Sequence, residues 1–133
     1  MRTVEDLPAI CLATAAAVAA SGAWYAAFGR RLAQLDDAYA EDTAAAGWVV
    51  PVELARSGTV AVTVSALAAR TGVTGPREAV RLGLALWVAF PVVLLTGSVV
   101  HEKVPWQLAA IHAGDWLGKL LLVSLATGVR RRR

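Results

Sequence analysis

A single cysteine in 133 residues, Cys11, leaves no partner for a disulfide and no set of thiols for a metal. Its place inside an apolar run reads as that of a small buried side chain. Histidine is nearly as scarce: with only His101 and His112, a metal site would have to recruit Glu102 or Asp115, so no metal and no cofactor is expected. No glycine-rich phosphate loop, nucleophile elbow or zinc motif occurs, which removes motif support for an enzyme. Charge is short as well. Only 17% of residues are charged and 57% are hydrophobic, too little polar surface for a soluble domain of this size. The net charge of +3 does not point to nucleic acid, because the basic residues sit at the ends of apolar segments and form no patch interleaved with aromatics.

What remains is a membrane protein. The length is consumed by four apolar stretches of about 20 residues each, so the chain reads as one all-α domain, a four-transmembrane-helix bundle. The spans fall at about 7–29, 48–69, 79–100 and 106–129. Asp6 before Leu7 and Pro8 marks the first helix start, with an acidic cap and proline in the first turn. The run that follows is rich in alanine and glycine, which lets helix backbones approach closely and suits a homo-oligomer. An Ala-x-Ala pattern near Ser21 allows a cleaved signal peptide, but Arg2 is offset by Glu5 and Asp6, and a retained span is the expectation.

Trp24, Tyr25 and Phe28 are expected to close the first span as an interfacial belt, with Arg30 and Arg31 in the headgroups. The acid-rich stretch beyond them either continues the helix or lies along the surface as an amphipathic piece. Trp48 opens the second span, and Glu53 and Arg56, spaced i, i+3, can pair along it. A turn-rich loop around Gly72, Gly75 and Pro76 leads to the third span, where Arg81 can snorkel and Pro91 should kink the helix. The loop His101–Pro105 is tight, so the third and fourth spans are antiparallel neighbours. Arginines cluster on the side of Arg2, Arg70, Arg77, Arg81 and the terminal run Arg130 to Arg133, which predicts a bacterial inner (plasma) membrane protein with both termini cytoplasmic.

Two stretches resemble the bacterial membrane family DUF1761, a domain of unknown function drawn with four transmembrane helices. GAWYAAFG, from Gly22 to Gly29, is similar to that family's Gly-x-Trp-Tyr-x-x-Phe-Gly signature. The region from Gly83 to Gly128 resembles its Gly-Phe-x-x-Pro span, short acidic loop and final helix. The chain departs from the family pattern in the middle: Arg30, Arg31 and Leu32 stand where a tryptophan is common, and Asp115 and Lys119 stand where aromatic or apolar residues are usual. The resemblance implies fold and location and carries no catalytic residues.

The costly residues lie in the last span. His112, Asp115 and Lys119 fall at i, i+3 and i+7 and share one helix face, where ionisable groups are rare without a partner. Arg56 lies on the order of 10 Å below Trp48, and Asp115 on the order of 13 Å below Trp106, at comparable depth. Glu53, Arg56, Asp115 and Lys119 sum to zero charge, so Arg56 is expected to face Asp115 across two helices. With His112 and Trp116 these residues would line a polar pocket open to the outer leaflet, in which His112 keeps a free edge for an ion, a proton or a small solute. Two other readings stay open. His112 and Asp115 could act as acid and base in a membrane-embedded enzyme on a lipophilic substrate, or the ions could simply hold helices together in a structural or partner-binding subunit.

Overall fold

The computed structural model describes residues 6–40 and 47–129; the cationic ends, with Arg2, Glu5 and Arg130 to Arg133, and part of the acid-rich stretch lie outside them. Helix α1 spans Leu7–Leu35 and is followed by a short 3-10 turn, Asp37–Tyr39. Helix α2 covers Val49–Arg70, α3 Pro76–Trp87, α4 Val93–His101 and α5 Trp106–Val129. A π-helical turn, Val88–Val92, joins α3 to α4, so Pro76–His101 forms one continuous span. Four helices are long and apolar enough to cross a membrane, and no strand occurs among the described residues. The chain is a multi-pass, all-α membrane protein.

Pro91 sits inside the π turn. Its ring cannot donate a hydrogen bond and crowds the preceding turn, and a widened turn absorbs that defect without ending the helix. The residues after Arg30 continue α1 as far as Leu35, where Asp36 takes an extended backbone (φ −151°, ψ 125°) and stops it. Trp24, Tyr25 and Phe28 therefore do not close the helix. They lie about two to three turns before its end and pack around Leu32, Leu108 and Ile111. The exposed tryptophans are Trp48 and Trp106, at the starts of α2 and α5 on the same side of the bundle.

α5 is the central helix and packs on α1, α2 and α3. The buried residues of α1 are Ala9, Ala13, Ala17, Ser21 and Leu32, the first four spaced one every fourth position. Such a stripe of small side chains lets α1 approach its neighbours within the chain closely. Cys11 lies about 200° around the helix from Ala9 and is exposed, not buried as expected. Farther along, an alanine Cβ at Gly128 would stand 2.9 Å from Ala79 Cβ, which shows how tightly α5 meets the start of α3.

Candidate functional site

Two indoles fix the register of α5 at its polar end. Trp24 of α1 donates from Nε1 to the Ile111 carbonyl at 2.9 Å, and Trp87 of α3 donates to the Ala113 carbonyl at 2.8 Å. Gly114 provides the room: a Cβ there would stand 2.4 Å from Cζ2 of Trp24. This clamp holds the next residue of α1, Tyr25, beside His112, and Ser21, one turn earlier, beside Asp115.

Asp115 is buried, 7% exposed, and its carboxylate is shared among three groups. Ser21 Oγ donates to Oδ1 at 2.5 Å, Tyr25 Oη donates to Oδ2 at 3.5 Å, and Lys119 Nζ lies 4.0 Å from Oδ2. Lys119 is 3% exposed and also stands 5.0 Å from the Trp116 ring centroid, so a carboxylate and an aromatic face together offset the loss of water around its ammonium. Four residues expected at the site, His112, Asp115, Trp116 and Lys119, are thus neighbours on α5.

His112 is half-buried, and both ring nitrogens have partners. Tyr25 Oη lies 2.7 Å from Nδ1, and Tyr39 Oη lies 2.9 Å from Nε2. The free imidazole edge expected from the sequence is therefore occupied. Tyr39 reaches it because Asp36, after ending α1, accepts from the Ala38 N–H at 2.9 Å and folds Asp37–Tyr39 into the 3-10 turn. Burial raises the Tyr39 phenol above its ordinary value of 10.0, with Asp36 adding to the effect, and keeps it neutral at physiological pH.

Arg56 does not face Asp115. It pairs with Glu53 on its own helix and its side chain is 53% exposed, while the carboxylate it was expected to meet is taken by Ser21, Tyr25 and Lys119. The long arginine stem lets the guanidinium reach back one turn to Glu53. The four charges thus separate into two intrahelical pairs. A groove of about 290 Å³ lies on another face of α5, against α3 and α4, lined by Trp87, Leu95, Val99, Trp106, Ala109 and Ala113 among others. Apart from Thr96 its lining is apolar or aromatic, and it includes none of His112, Asp115, Trp116 and Lys119. Among the described residues no three histidine, cysteine or acidic side chains come together as a metal site would require.

Sequence reasoning missed three members of the cluster: Ser21, Tyr25 and Tyr39. Ser21 and Tyr25 are one turn apart and carried a readable signal, a polar stripe on a helix otherwise lined by alanine. Tyr39 carried none, because nothing local to a turn after Asp36 says which helix it will meet.

Residues 8–128, nearly the whole chain, match the model of DUF1761, a protein family of unknown function. The chain belongs to the DUF1761 family. No curated protein and no solved structure matches it. Within the Gly-x-Trp-Tyr-x-x-Phe-Gly stretch of this DUF1761 protein, the aromatics do the packing: Trp24 and Tyr25 bond to α5 and Phe28 stacks near Trp24, with ring centroids 4.7 Å apart. Gly22 and Gly29 have nothing within 4 Å of a built Cβ.

Proposed function

We propose that this small polytopic membrane protein binds or passes an ion or small solute at the cluster of Tyr39, His112, Tyr25 and Asp115, reached from the side that carries Trp48 and Trp106. Counting the arginines at the span ends makes that side the outer face of the plasma membrane, with both termini cytoplasmic. The reading rests on one observation. Polar contacts run without a break from Tyr39, 41% exposed, to Asp115, 7% exposed. A pair of ions serving only to join helices needs no such connection to the surface, and an intramembrane carboxylate connected to the surface is the usual mark of an ion or solute path.

A structural role is the second reading, favoured by the two satisfied nitrogens of His112, which tie α1 and the Asp37–Tyr39 turn to α5. Accessibility separates the two. With the exposed native thiol removed as Cys11→Ser, a His112→Cys variant in phosphatidylcholine vesicles should react with a membrane-impermeant thiol reagent. A thiol that stays unmodified until the protein is unfolded would leave the structural reading in place.

A further inference from the structure

The chemistry of the links between Tyr39 and Asp115 narrows the choice of ion. A phenol carries one hydrogen and also accepts, and a neutral imidazole donates from one nitrogen and accepts at the other, so every member of the series can take a proton on one side and give one on the other. A metal cation or an inorganic anion would have to part hydroxyls already 2.9 and 2.7 Å from the ring nitrogens. A proton needs only the contacts that exist. We propose that the ion taken up by this site is the proton, and that Tyr39, His112 and Tyr25 carry it from the Trp48 and Trp106 face to the carboxylate of Asp115. The proposal rests on the reading of the cluster as an ion site and names the ion.

The direction of the hydrogen bonds fixes the steps. Tyr25 Oη donates to Asp115 Oδ2, so its oxygen accepts from His112 Nδ1–H; Nε2 is then the acceptor and takes the Tyr39 hydrogen. When an outside proton binds Tyr39 Oη, the original Tyr39 hydrogen passes to Nε2. The Nδ1 hydrogen then passes to Tyr25 Oη, and the Tyr25 hydrogen to Oδ2. One proton enters and one O–H bond forms on the carboxyl, both phenols end neutral, and the imidazole has changed tautomer from Nδ1–H to Nε2–H. At 3.5 Å the Tyr25–Asp115 contact is the longest link, and it sets the rate.

The surroundings show where the charge goes. Facing the path are Ser21 and Tyr25 from α1, Tyr39 with Asp36 from the 3-10 turn, and Asp115 with Lys119 from α5. From α2 the Glu53–Arg56 pair contributes charge, with Arg56 felt at His112, and from α3 Trp87 packs at this level without a titratable group. Neutralising Asp115 removes the counter-charge of Lys119, whose ammonium is almost wholly buried, so proton arrival at one residue is transmitted to the next turn of α5.

The test is difference infrared spectroscopy on the full chain in phosphatidylcholine vesicles, with protons as the probe, delivered by a rapid drop in external pH. A carboxylic-acid C=O band should appear in the wild type and be absent from Asp115→Asn, which assigns it. Tyr25→Phe keeps the ring and removes the relay hydroxyl, and should slow the band by ~100-fold, the usual scale for losing a positioned proton-transfer group. Tyr39→Phe, at the exposed end, should slow it similarly and serves if Tyr25→Phe fails to fold. A band rising at the wild-type rate in both phenylalanine variants would overturn the path, and no Asp115 band at any pH would overturn the proton as the ion. If His112→Cys is nevertheless modified in the accessibility experiment, the ion site stands and only the identity of the ion falls; if it is not, both fall.

Discussion

Replacing Gly114 with alanine drives a methyl group into the Trp24 indole. The added Cβ would lie 2.4 Å from Cζ2, 2.7 Å from Cη2 and 3.3 Å from Cε2. Carbon atoms in contact prefer ~3.5–4.0 Å, so the ring must retreat by about 1 Å. The indole cannot retreat and keep its 2.9 Å bond to the Ile111 carbonyl. Overpacking and a stranded indole N–H each cost about 1–3 kcal/mol, which places the destabilisation at about 2–6 kcal/mol. Gly118, one turn farther along α5, has nothing within 4 Å of a built Cβ, so Gly118→Ala is the control and should lose no stability. Unfolding in mixed micelles with increasing dodecyl sulfate, followed by circular dichroism, gives both values. Combining Gly114→Ala with Trp24→Leu should recover part of the loss, because the smaller side chain leaves room for the methyl. Equal stability of Gly114→Ala, Gly118→Ala and the wild type would refute the clamp, and with it the account of how Tyr25 is held at His112.

The Asp115–Lys119 pair should behave as a coupled unit: Lys119→Met, which strands a buried carboxylate, costs about 3–5 kcal/mol, whereas Lys119→Met with Asp115→Leu costs much less. Unfolding of the two single variants and the double variant measures the coupling, and strictly additive losses would show that no pairing exists. Topology is the other expectation. In a Cys11→Ser background, a cysteine at Lys103 should be labelled by an impermeant reagent added to intact cells, and one at Thr74 only after permeabilisation. The reverse pattern would turn the mouth of the site toward the cytoplasm.

The helices were legible because each carries its own record. A run of apolar residues long enough to cross a bilayer, a proline in the first turn at Pro8 and Pro76, and a tight loop at His101–Pro105 are local features. Half of the site was legible on the same ground: His112, Asp115, Trp116 and Lys119 share a helix, and their spacing alone makes them neighbours. The pairing of Arg56 with Asp115 failed because it rested on depth and charge balance, which say that two groups could meet and nothing about competitors. Glu53, one turn from Arg56, and Ser21 and Tyr25 on α1 are those competitors. Cys11 was misplaced for a related reason: an apolar residue in a membrane span can face lipid at no cost, so apolar character no longer distinguishes inside from outside.

Ser21 shows why packing and polarity on α1 are one feature. The positions Ala9, Ala13, Ala17 and Ser21 need small side chains so that α1 can approach its neighbours, and any of them could be alanine on packing grounds alone. Only the fourth meets a carboxylate. A serine there keeps the volume small and places a hydroxyl 2.5 Å from Asp115 Oδ1, and Tyr25, on the next turn, places a second one at Oδ2. An alanine at position 21 would preserve the helix contact and leave Oδ1 without its donor, and an unmet lone pair on a charged, buried oxygen is costly. A larger polar residue would satisfy Asp115 and push α1 away, lengthening the Tyr25–His112 and Tyr25–Asp115 contacts. The small-residue stripe therefore does not merely allow the site; by setting the distance between α1 and α5, it sets the length of every link that joins Tyr25 to its two partners on α5.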